Sequence, residues 1–525
     1  MTHSRARSRR AKPQAARRGS ASAARIGGGP IDKIQRAEFQ ILLNFLREFW
    51  QDHARHVDEG RVGPAAAYRV LRDVAGESLP VAPARLPDLL KQTKHLLRTH
   101  SVKTTHPLFL GYVTPSALDI GALADAMAAI VNQNVAFASL SPIGTALEES
   151  AIRWLGEIVG YPPSCGGILT SGGSEANLYA LAAARRCALG TAFITDGNYA
   201  ERNRRLRIYC SEHTHHSVDK AVMLLGLGTS SIKRIPVDSA HRIKIDALRI
   251  AIEADRASGD WLPMAIVGTA GTRLCCAYDD FRALRKVADN FDLWLHVDAA
   301  FGGFLRLATP RPPGSDQMHH ADSIAVNPHK LLFVPLDCGA ILVRDPSHLS
   351  AAFGAEGEYL EPRNPGLRDF ANFGMQLGRP MRALKVWLAI KRFGRETLGK
   401  EYSRLLQLAR YLSDRIRRDR RFELLGPVSG TAVCFRWRGR VHSKDPHLDA
   451  LNSEIRLQIV RAGVAFVDEV ELSGKRGLRV CMTNFRTNSC HLDTLIDTIC
   501  QVATNTSGDG TPDGRKFYEP VHHRR

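Results

Sequence analysis

The sequence has no long apolar run, no C-x-x-C pair and no acidic residue in its first 29 positions. Its apolar stretches, such as 221–227 and 331–336, are far shorter than the ~18 residues of a membrane-spanning helix. The N-terminus also lacks the ~7–15-residue apolar segment of a secretory signal. These absences argue against a membrane or secreted protein and favour a soluble, cytoplasmic one.

The ten cysteines are scattered, with one adjacent pair, Cys275 and Cys276. Without C-x-x-C spacing they favour neither a zinc ribbon nor a dithiol redox site, and we expect structural, reduced thiols. With 525 residues, 44% hydrophobic and 24% charged, the chain has a globular composition and is long enough for two or three packed parts.

The net charge of +19 is unevenly distributed, because residues 1–29 contain eight Arg or Lys. Such an acid-free segment suits an organelle-targeting peptide, a nucleic-acid-binding arm or a solvated disordered tail. No aromatic residue lies among these charges, so we favour the disordered tail and regard binding to nucleic acid as the weaker alternative.

The periodicity of the chain predicts five segments. We expect a disordered basic tail over 1–30, a helical segment over 31–100, a large domain over 101–385, a small C-terminal α/β domain over 386–505 and a disordered tail over 506–525. Helices alternate with short strands at 207–210, 264–269, 293–298, 323–326 and 339–343. This alternation predicts an α/β fold whose large domain contains a mainly parallel sheet.

The remaining periodic segments are less regular. Helices are expected at 86–97, 380–394 and 402–417, and strands of the small domain at 422–425, 431–436 and 477–482. The stretch 354–371 shows no period and is expected to be a long loop.

Two polar motifs lie where strands end and helices begin, the edge at which open α/β sheets bind ligands. The first, TSGGSEAN at 170–177, places Gly173 and Ser174 at a helix start, which suits a phosphate. The second, HTHHS at 213–217, contains three histidines but no nearby acidic or thiol partners. We therefore expect no metal site, and one of these histidines could instead lie against a flat cofactor.

Two further motifs also end predicted strands. In HVDAAFGG at 296–303, Asp298 is costly to bury unless it meets a cation, and small residues such as Ala300 leave room for a ring. In NPHK at 327–330, Lys330 lies beside an apolar run that would lower its pKa and favour a nucleophilic amine. Together the four motifs suit pyridoxal 5′-phosphate, with its aldehyde on Lys330 and its pyridine nitrogen on Asp298.

With these motifs the sequence resembles the group II pyridoxal-phosphate-dependent amino-acid decarboxylases, which include aromatic-L-amino-acid and glutamate decarboxylases. The resemblance extends from His106 to Thr487, and the ordered HVDAA and NPHK motifs are its most specific part. It implies a fold-type-I, aspartate-aminotransferase-like architecture and a homodimer whose active site lies between subunits.

The resemblance also implies a role for each motif residue. Lys330 would hold the cofactor as a Schiff base, Asp298 would keep the pyridine nitrogen protonated, and His215 would stack on the ring. The other expected positions are Ala300 at the opposite ring face, the phosphate contacts Gly173, Ser174 and Asn327, His329 near the substrate carboxylate or the protonation site, and Leu377 and Gly378 towards the partner's cofactor. Lys330, His215, His329 and Asp298 form the expected catalytic set.

The sequence departs from the family pattern at positions expected to contact the substrate. Counting back from Arg379, a loop tyrosine that supplies a proton in the aromatic branch is replaced by Phe370, so Tyr359 or His329 could donate instead. A threonine common in the family is replaced by Arg273, which could pair with an acidic substrate, point to solvent or bond a partner subunit. Tyr112, Asn134, Ala136 and Phe137 make up the other expected substrate-contacting positions.

These residues predict decarboxylation of an L-amino acid to its amine and carbon dioxide, with an aromatic substrate slightly favoured. Two alternatives stay open within the same scaffold. The protein could be a decarboxylation-dependent aldehyde synthase, because of Phe370, or a decarboxylase of an acidic or small amino acid.

Overall fold

The computed structural model describes residues 30–64, 68–190, 205–354, 366–439 and 447–507. The predicted basic tail and the predicted C-terminal tail therefore lie outside the described residues, except at their inner ends. The first helix begins at Pro30 and the last helix continues to Ser507. Most of the predicted loop at 354–371 is also outside them, and its end contains a short 3₁₀ turn, Phe370–Asn372. No helix among the described residues is both apolar enough and long enough to cross a membrane.

Helices and strands are numbered separately, each in chain order. The helices are α1 (Pro30–Arg55), α2 (Tyr68–Ala75), α3 (Leu86–His100), α4 (Asp119–Val131), α5 (Pro142–Val159), α6 (Gly173–Leu189), α7 (Ser217–Leu224), α8 (Ile245–Ser258), α9 (Phe281–Phe291), α10 (Pro328–Leu331), α11 (Ser347–Phe353), α12 (Ala383–Arg418), α13 (His447–Ala462) and α14 (Ser489–Ser507). The strands are β1 (Gly166–Thr170), β2 (Arg205–Ser211), β3 (Ile232–Ile235), β4 (Trp261–Thr269), β5 (Trp294–Asp298), β6 (Ser323–Val326), β7 (Gly339–Val343), β8 (Phe422–Leu424), β9 (Ala432–Trp437), β10 (Asp468–Leu472) and β11 (Lys475–Cys481).

The chain forms two compact units. One comprises the described residues 30–56 and 78–95, and the other comprises the described residues within 57–77 and 96–507. In the first unit an ion pair joins Lys94 Nζ to Asp52 at 3.3 Å. Helices α1, α2 and α3 cover most of the predicted helical segment over 31–100, of which residues 65–67 are not described. Because α2 belongs to the other unit, a separate segment with these bounds stays a prediction.

The larger sheet has seven strands in the order β1-β7-β6-β5-β4-β2-β3. Strands β3, β2, β4, β5 and β6 are parallel, whereas β7 runs antiparallel to both β1 and β6. Every residue of β5, β6 and β7 is buried, which explains why these strands are nearly uninterrupted apolar runs in the sequence. The α/β fold with a mainly parallel sheet is therefore confirmed.

A second, antiparallel sheet of the order β10-β11-β9-β8 lies in the C-terminal part. It belongs to the same compact unit as the seven-stranded sheet, so a division at residue 385 stays a prediction. The two helices predicted at 380–394 and 402–417 are present: the span numbered α12 consists of two helical stretches that meet at a kink at Gly394 (φ 65°, ψ 169°), where the backbone is not helical. Glycine adopts this left-handed conformation without a Cβ penalty, so the helix can turn there and resume.

The parallel strands bring their carboxyl ends to one edge of the sheet. Thr269 ends β4, Asp298 ends β5 and Asn327 follows β6. Residues that are distant in sequence therefore meet at this edge, as expected for an open α/β sheet.

Candidate active site

A cavity of about 470 Å³ opens at this edge of the sheet. Most of the sequence-predicted site residues line it: Tyr112, Gly173, Ser174, His215, Asp298, Ala300, Asn327, His329 and Lys330. Four motifs from distant parts of the chain are thus brought together around one space.

One end of the cavity is formed by the start of α6. A Cβ on Gly173 would lie 3.1 Å from Ala300 Cβ and 3.2 Å from the Asn327 amide, so a larger residue would crowd this end. The unpaired N–H groups of the first turn face this region, where an anion is stabilised by them and by the helix dipole.

The side chain of Asn327 fits an anion at the same end. Its Oδ1 atom is buried without a hydrogen-bond partner among the described residues, while its Nδ2 lies 3.3 Å from His329 Nε2. Because the Cys338 N–H donates to His329 Nδ1 at 3.0 Å, a neutral His329 carries its hydrogen on Nε2. The amide oxygen of Asn327 is therefore assigned towards His329, which leaves its N–H₂ as a free donor for a phosphate.

Lys330 lies in α10, the short helix that follows Asn327, and its side chain is half-buried. Burial lowers the pKa of its amine, and the nearby Asp298 carboxylate opposes this shift. An amine with a lowered pKa is more often in its neutral, nucleophilic form. Burial also lowers the pKa of the adjacent His329 to about 4, so this imidazole is neutral at physiological pH.

Asp298 accepts two hydrogen bonds, from the Ala300 N–H at 3.1 Å and from Asn177 Nδ2 at 2.9 Å. Asp298 also lines the cavity, and no other Asp or Glu is among the described residues that line it. A cationic ring nitrogen placed there would supply the counter-charge that such a carboxylate needs.

His215 is exposed to the cavity, and its Nδ1 atom lies 2.9 Å from Ser217 Oγ. Burial lowers the pKa of its imidazole, while Asp298 acts in the opposite direction. The other two histidines in the motif lie elsewhere: His213 pairs with His241 at 3.2 Å, and His216 lies 3.6 Å from Asp219. Among the described residues no cluster of His, Cys, Asp and Glu could hold a metal ion.

Four of the expected substrate residues are not among those that line this cavity: Asn134, Ala136, Phe137 and Phe370. Asn134 instead bonds backbone groups at Ala136, Leu377 and Arg379. Phe370 is 1% exposed and lies in the core, 5.0 Å from the Arg379 guanidinium, so its contact with substrate stays a prediction. The predicted donor Tyr359 lies outside the described residues.

Sequence reasoning missed several residues that the cavity requires. Asn177 and Ser217 support Asp298 and His215, although the sequence showed them only as members of their motifs. Thr269 lines the cavity and, as the last residue of β4, its strand-end position was a usable signal. Arg479 comes from β11, a part of the chain that no motif connected to the site.

Arg273 also lines the cavity, in agreement with one of the options left open by the sequence. Its side chain is exposed, and no ion pair or hydrogen bond engages it among the described residues. Arg479, by contrast, is buried and bonds Asp468 at 2.7 Å, the Leu274 carbonyl at 3.1 Å and Cys481 Sγ at 3.1 Å.

These features fit pyridoxal phosphate. A free amide donor and a helix start lie at one end, a carboxylate lies at the strand end, and a lysine with a lowered pKa lines the same cavity. His215 and Ala300 border the space that a flat ring would occupy.

Comparisons with known proteins agree with this geometry. Residues 69–438 match the family model described as "Pyridoxal-dependent decarboxylase conserved domain". An aromatic-L-amino-acid decarboxylase of Bacillus atrophaeus is 30% identical over 83% of this chain and 90% of its own length. A 4-hydroxyphenylacetaldehyde synthase of Rhodiola rosea is 28% identical over 89% of this chain and 94% of its own.

A solved structure has the same fold. The crystal structure of Oryza sativa TDC with PLP and tryptamine superposes with a TM-score of 0.84 at 25% identity, over 91% of this chain and 100% of that one. The family model spans most of the chain and covers all four motifs. The protein therefore belongs to the pyridoxal-dependent decarboxylase family and is a carboxy-lyase that uses pyridoxal phosphate.

Proposed function

We propose that the protein decarboxylates an L-amino acid to the corresponding amine, with Lys330 as the residue that holds the cofactor covalently. The observation that supports this most strongly is the meeting of Lys330, Asp298 and His215 around one cavity whose far end offers phosphate donors. When bound, the cofactor supplies an electron sink for the electrons left when carbon dioxide departs.

In this proposal each side chain has a separate task. Asp298 holds the pyridine nitrogen as a cation, His215 and Ala300 confine the ring from opposite faces, and Gly173, Ser174 and Asn327 bind the phosphate. His329 is neutral and fixes the orientation of Asn327, because its Nδ1 is occupied by the Cys338 N–H. Its place in the cavity also keeps it near the reacting carbon.

The visible absorption of the purified protein tests this proposal. The wild type should be yellow, and Lys330→Ala should lose both the visible band and carbon dioxide release. Lys400, an exposed lysine paired with Glu396 at 2.6 Å, provides the matched control, and Lys400→Ala should keep both. A colourless wild type that takes up no added pyridoxal phosphate would contradict the assignment.

For the substrate, we propose an aromatic amino acid as the first candidate. Similarity to the aromatic-L-amino-acid decarboxylase supports it, and the apolar or aromatic side chains of Tyr112, Val113, Phe301 and Leu336 line the cavity. A panel of free L-amino acids, with carbon dioxide release measured and the organic product identified, distinguishes aromatic from acidic or small substrates.

Arg273 favours an acidic amino acid as a second candidate. It follows β4, on the His215 side of the cavity, whereas the phosphate donors follow β1 and β6 on the other side. An ion pair with the α-carboxylate would oppose the reaction, because this charge is lost as carbon dioxide leaves and the ground state would be held more tightly than the transition state. A carboxylate on the substrate side chain keeps its charge throughout and suits Arg273 better.

Replacement of Arg273 separates these two substrate classes. If the substrate is acidic, Arg273→Thr should reduce kcat/KM for glutamate or aspartate at least tenfold and leave aromatic substrates within twofold. If the substrate is aromatic, the same variant should keep or raise activity towards it.

The aldehyde-synthase alternative is supported by similarity to the Rhodiola rosea enzyme, not by Phe370, which is buried away from the cavity. An aldehyde product requires oxygen uptake and release of ammonia and peroxide, whereas an amine product requires none of them. Measuring oxygen consumption together with the organic product therefore decides between these activities.

We also propose a homodimer in the cytoplasm. The outer face of α4 carries exposed apolar side chains, including Met127, Ile130 and Val131, which a second copy would cover. All ten cysteines are free thiols, as expected in a reducing compartment. The basic N-terminus lies outside the described residues, and a nucleic-acid role stays the weaker alternative.

A further inference from the structure

A continuous chain of buried hydrogen bonds connects the interior of the sheet to the cavity. It runs from Trp294 through Ser323, His296 and Asn177 to Ser217, and ends at His215. Each bond is between 2.8 and 2.9 Å long. The first five residues are buried, so water does not compete for these bonds.

The direction of the hydrogen bonds is fixed at the Trp294 end of this chain. The indole Nε1 of Trp294 can only donate, so Ser323 Oγ accepts its hydrogen and is free to donate its own to His296 Nδ1. Burial lowers the pKa of His296 to about 4, so its imidazole is neutral and carries its single hydrogen on Nε2. That hydrogen is donated to Asn177 Oδ1.

Asn177 is held in one orientation by Asp298. Its Nδ2 donates to Asp298 Oδ2 at 2.9 Å and to Ser217 Oγ at 2.8 Å. A flipped amide would place its oxygen against the carboxylate and its N–H₂ against the Nε2–H of His296, and both contacts would be repulsive. All hydrogen-bonding groups of this side chain are therefore used, and each has a defined direction.

The hydroxyl of Ser217 connects the hydrogen-bond chain to His215 and keeps the same donor-to-acceptor direction. Because Ser217 Oγ accepts from Asn177, its own hydrogen is available to His215 Nδ1. The backbone N–H of Ser217 also donates to Nδ1, at 3.2 Å. His215 Nδ1 is therefore an acceptor, and the hydrogen of the neutral ring is on Nε2.

We propose that Asn177 is a positioning residue that links Asp298 to His215 and keeps His215 as the neutral Nε2–H tautomer. In this form His215 offers a hydrogen to an anionic oxygen in the cavity, from the cofactor or from the substrate carboxylate. One buried amide thus fixes the orientation of the Asp298 carboxylate and the tautomer of the His215 imidazole. The inference rests on the proposed function only for the identity of that acceptor, because the hydrogen-bond chain belongs to the protein alone.

The test is nitrogen NMR of the cofactor-free protein labelled with ¹⁵N-histidine, with the His215 signals assigned by their loss in His215→Gln. In the wild type at neutral pH, Nδ1 should be unprotonated and Nε2 protonated. In Asn177→Asp the new carboxyl group lies against Asp298 and shares a proton with it, and the same oxygen has no hydrogen left for Ser217 and should accept the Ser217 hydroxyl. Nδ1 of His215 should then become protonated. A protonated Nδ1 in the wild type, or no change in Asn177→Asp, would overturn the proposal.

A change of charge in Asn177→Asp could act on His215 directly, alongside Asp298, Lys330, His216 and Arg273, the charged or titratable groups near it. The double variant Asn177→Asp with Ser217→Ala keeps the charge and removes the hydroxyl. Its Nδ1 should return towards the wild-type state, and a double variant that behaves like Asn177→Asp would show a direct charge effect and reject the relay.

Two further variants separate positioning from folding. Asn452 is a buried amide bonded to Trp437 and Leu448, remote from the cavity residues in sequence and partners, and Asn452→Asp should leave the His215 signals unchanged. Asn177→Ala should lower kcat/KM at least tenfold while the protein still binds pyridoxal phosphate. If His215 keeps its wild-type signals and Asn177→Ala keeps full activity, Asn177 has no positioning role. If neither the wild type nor any variant decarboxylates an amino acid, the proposed function is wrong, whereas the NMR result still decides the role of Asn177.

Discussion

Gly173 shows how the lack of a side chain shapes the end of the cavity where we propose that the phosphate binds. Its added Cβ would contact Ala300 and Asn327 at 3.1–3.2 Å, closer than ordinary packing allows. We expect Gly173→Ala to raise the Kd for pyridoxal phosphate at least tenfold, because the crowded Asn327 amide and helix start can no longer approach the phosphate. Equilibrium titration followed by visible absorption measures this.

Gly63 provides the control for this substitution. A Cβ at Gly63 would meet the Val460 carbonyl oxygen at 3.9 Å, an ordinary contact. Gly63→Ala should therefore leave cofactor affinity within twofold, and an equal loss in both variants would show that the crowding at Gly173 is not the cause.

His106 should make stability depend on pH. Burial lowers its pKa from 6.5 to about 4, with a smaller contribution from Lys103, and its Nδ1 accepts the Leu108 N–H at 3.0 Å. The unfolded chain takes up a proton near pH 6.5 and the folded chain only near pH 4, so this contribution is complete above pH 6.5 and is lost as the pH falls towards 4. The loss reaches about 3 kcal/mol.

Urea unfolding of wild type and His106→Gln between pH 7.5 and 4 isolates this effect, since glutamine retains an acceptor for the Leu108 N–H. The free energy of unfolding of the variant should fall less steeply with decreasing pH. His216→Gln, at an exposed side chain, is the control, and identical slopes for wild type and His106→Gln would refute the assignment.

For single residues, the sequence predicted which groups could carry the chemistry better than it predicted which side chains contact them. Lys330 and Asp298 were identifiable because a charged group at the end of an apolar strand needs a partner. Asn177 and Arg479 were not, because their importance depends on residues 121 and 11 positions away, which only the folded sheets bring into contact. The burial of Phe370 was not predicted, because counting along a loop does not show which side chains pack into the core.

Among the elements, α5 is anchored by a buried ion pair. Glu148 bonds Arg379, and both side chains are almost fully buried. Arg379 also donates to the Leu169 carbonyl at 2.9 Å, and the Leu169 N–H donates to Glu148 at 2.9 Å, so the pair connects α5, β1 and the segment before α12. Neither partner can be lost without leaving a buried charge unpaired.

We expect Glu148→Gln to lower the free energy of unfolding by about 3 kcal/mol, because Arg379 would keep its charge in the interior. Glu157, in the same helix, forms an exposed pair with Arg395 at 3.7 Å. Glu157→Gln should cost less than about 1 kcal/mol. Denaturant unfolding of both variants measures the difference, and equal losses would contradict the role of burial.

Element positions were predicted well where periodicity is uniform. Strands β6 and β7 match the prediction at both ends because each is a short, fully buried run. The two stretches of α12 were predicted as separate helices because Gly394 interrupts the pattern, and the backbone is not helical at that residue. Strands β1, β3 and β10 were not predicted. The sequences of β3 and β10 are short and partly exposed, like the surrounding loops, whereas the buried β1 begins with two glycines and runs into the TSGGSEAN motif.

For the whole molecule, the apolar face of α4 predicts self-association. Ile130 is 83% exposed, and Met127 and Val131 lie beside it on the same helix. We expect Ile130→Asp to shift the protein from dimer to monomer and to reduce activity at least tenfold, because a charge would have to be buried between copies. Sedimentation velocity gives the mass.

Ile250 on α8 is 66% exposed and serves as the control, so Ile250→Asp should leave the mass unchanged. A wild type that sediments as a monomer, or an Ile130→Asp variant that stays dimeric and active, would reject the α4 face as the interface.

The antiparallel direction of β7 relative to β6 keeps the connection that contains Lys330 short. Since β7 runs against β6, it begins at the edge where β6 ends, so the chain leaving Lys330 re-enters the sheet beside the point from which it came. That short return is what lets the Cys338 amide hold His329, and the His329 backbone N–H is in turn bonded to the Cys338 carbonyl at 3.1 Å. If β7 were parallel to β6, it would have to start at the opposite edge of the sheet, and a long, flexible connection would follow Lys330.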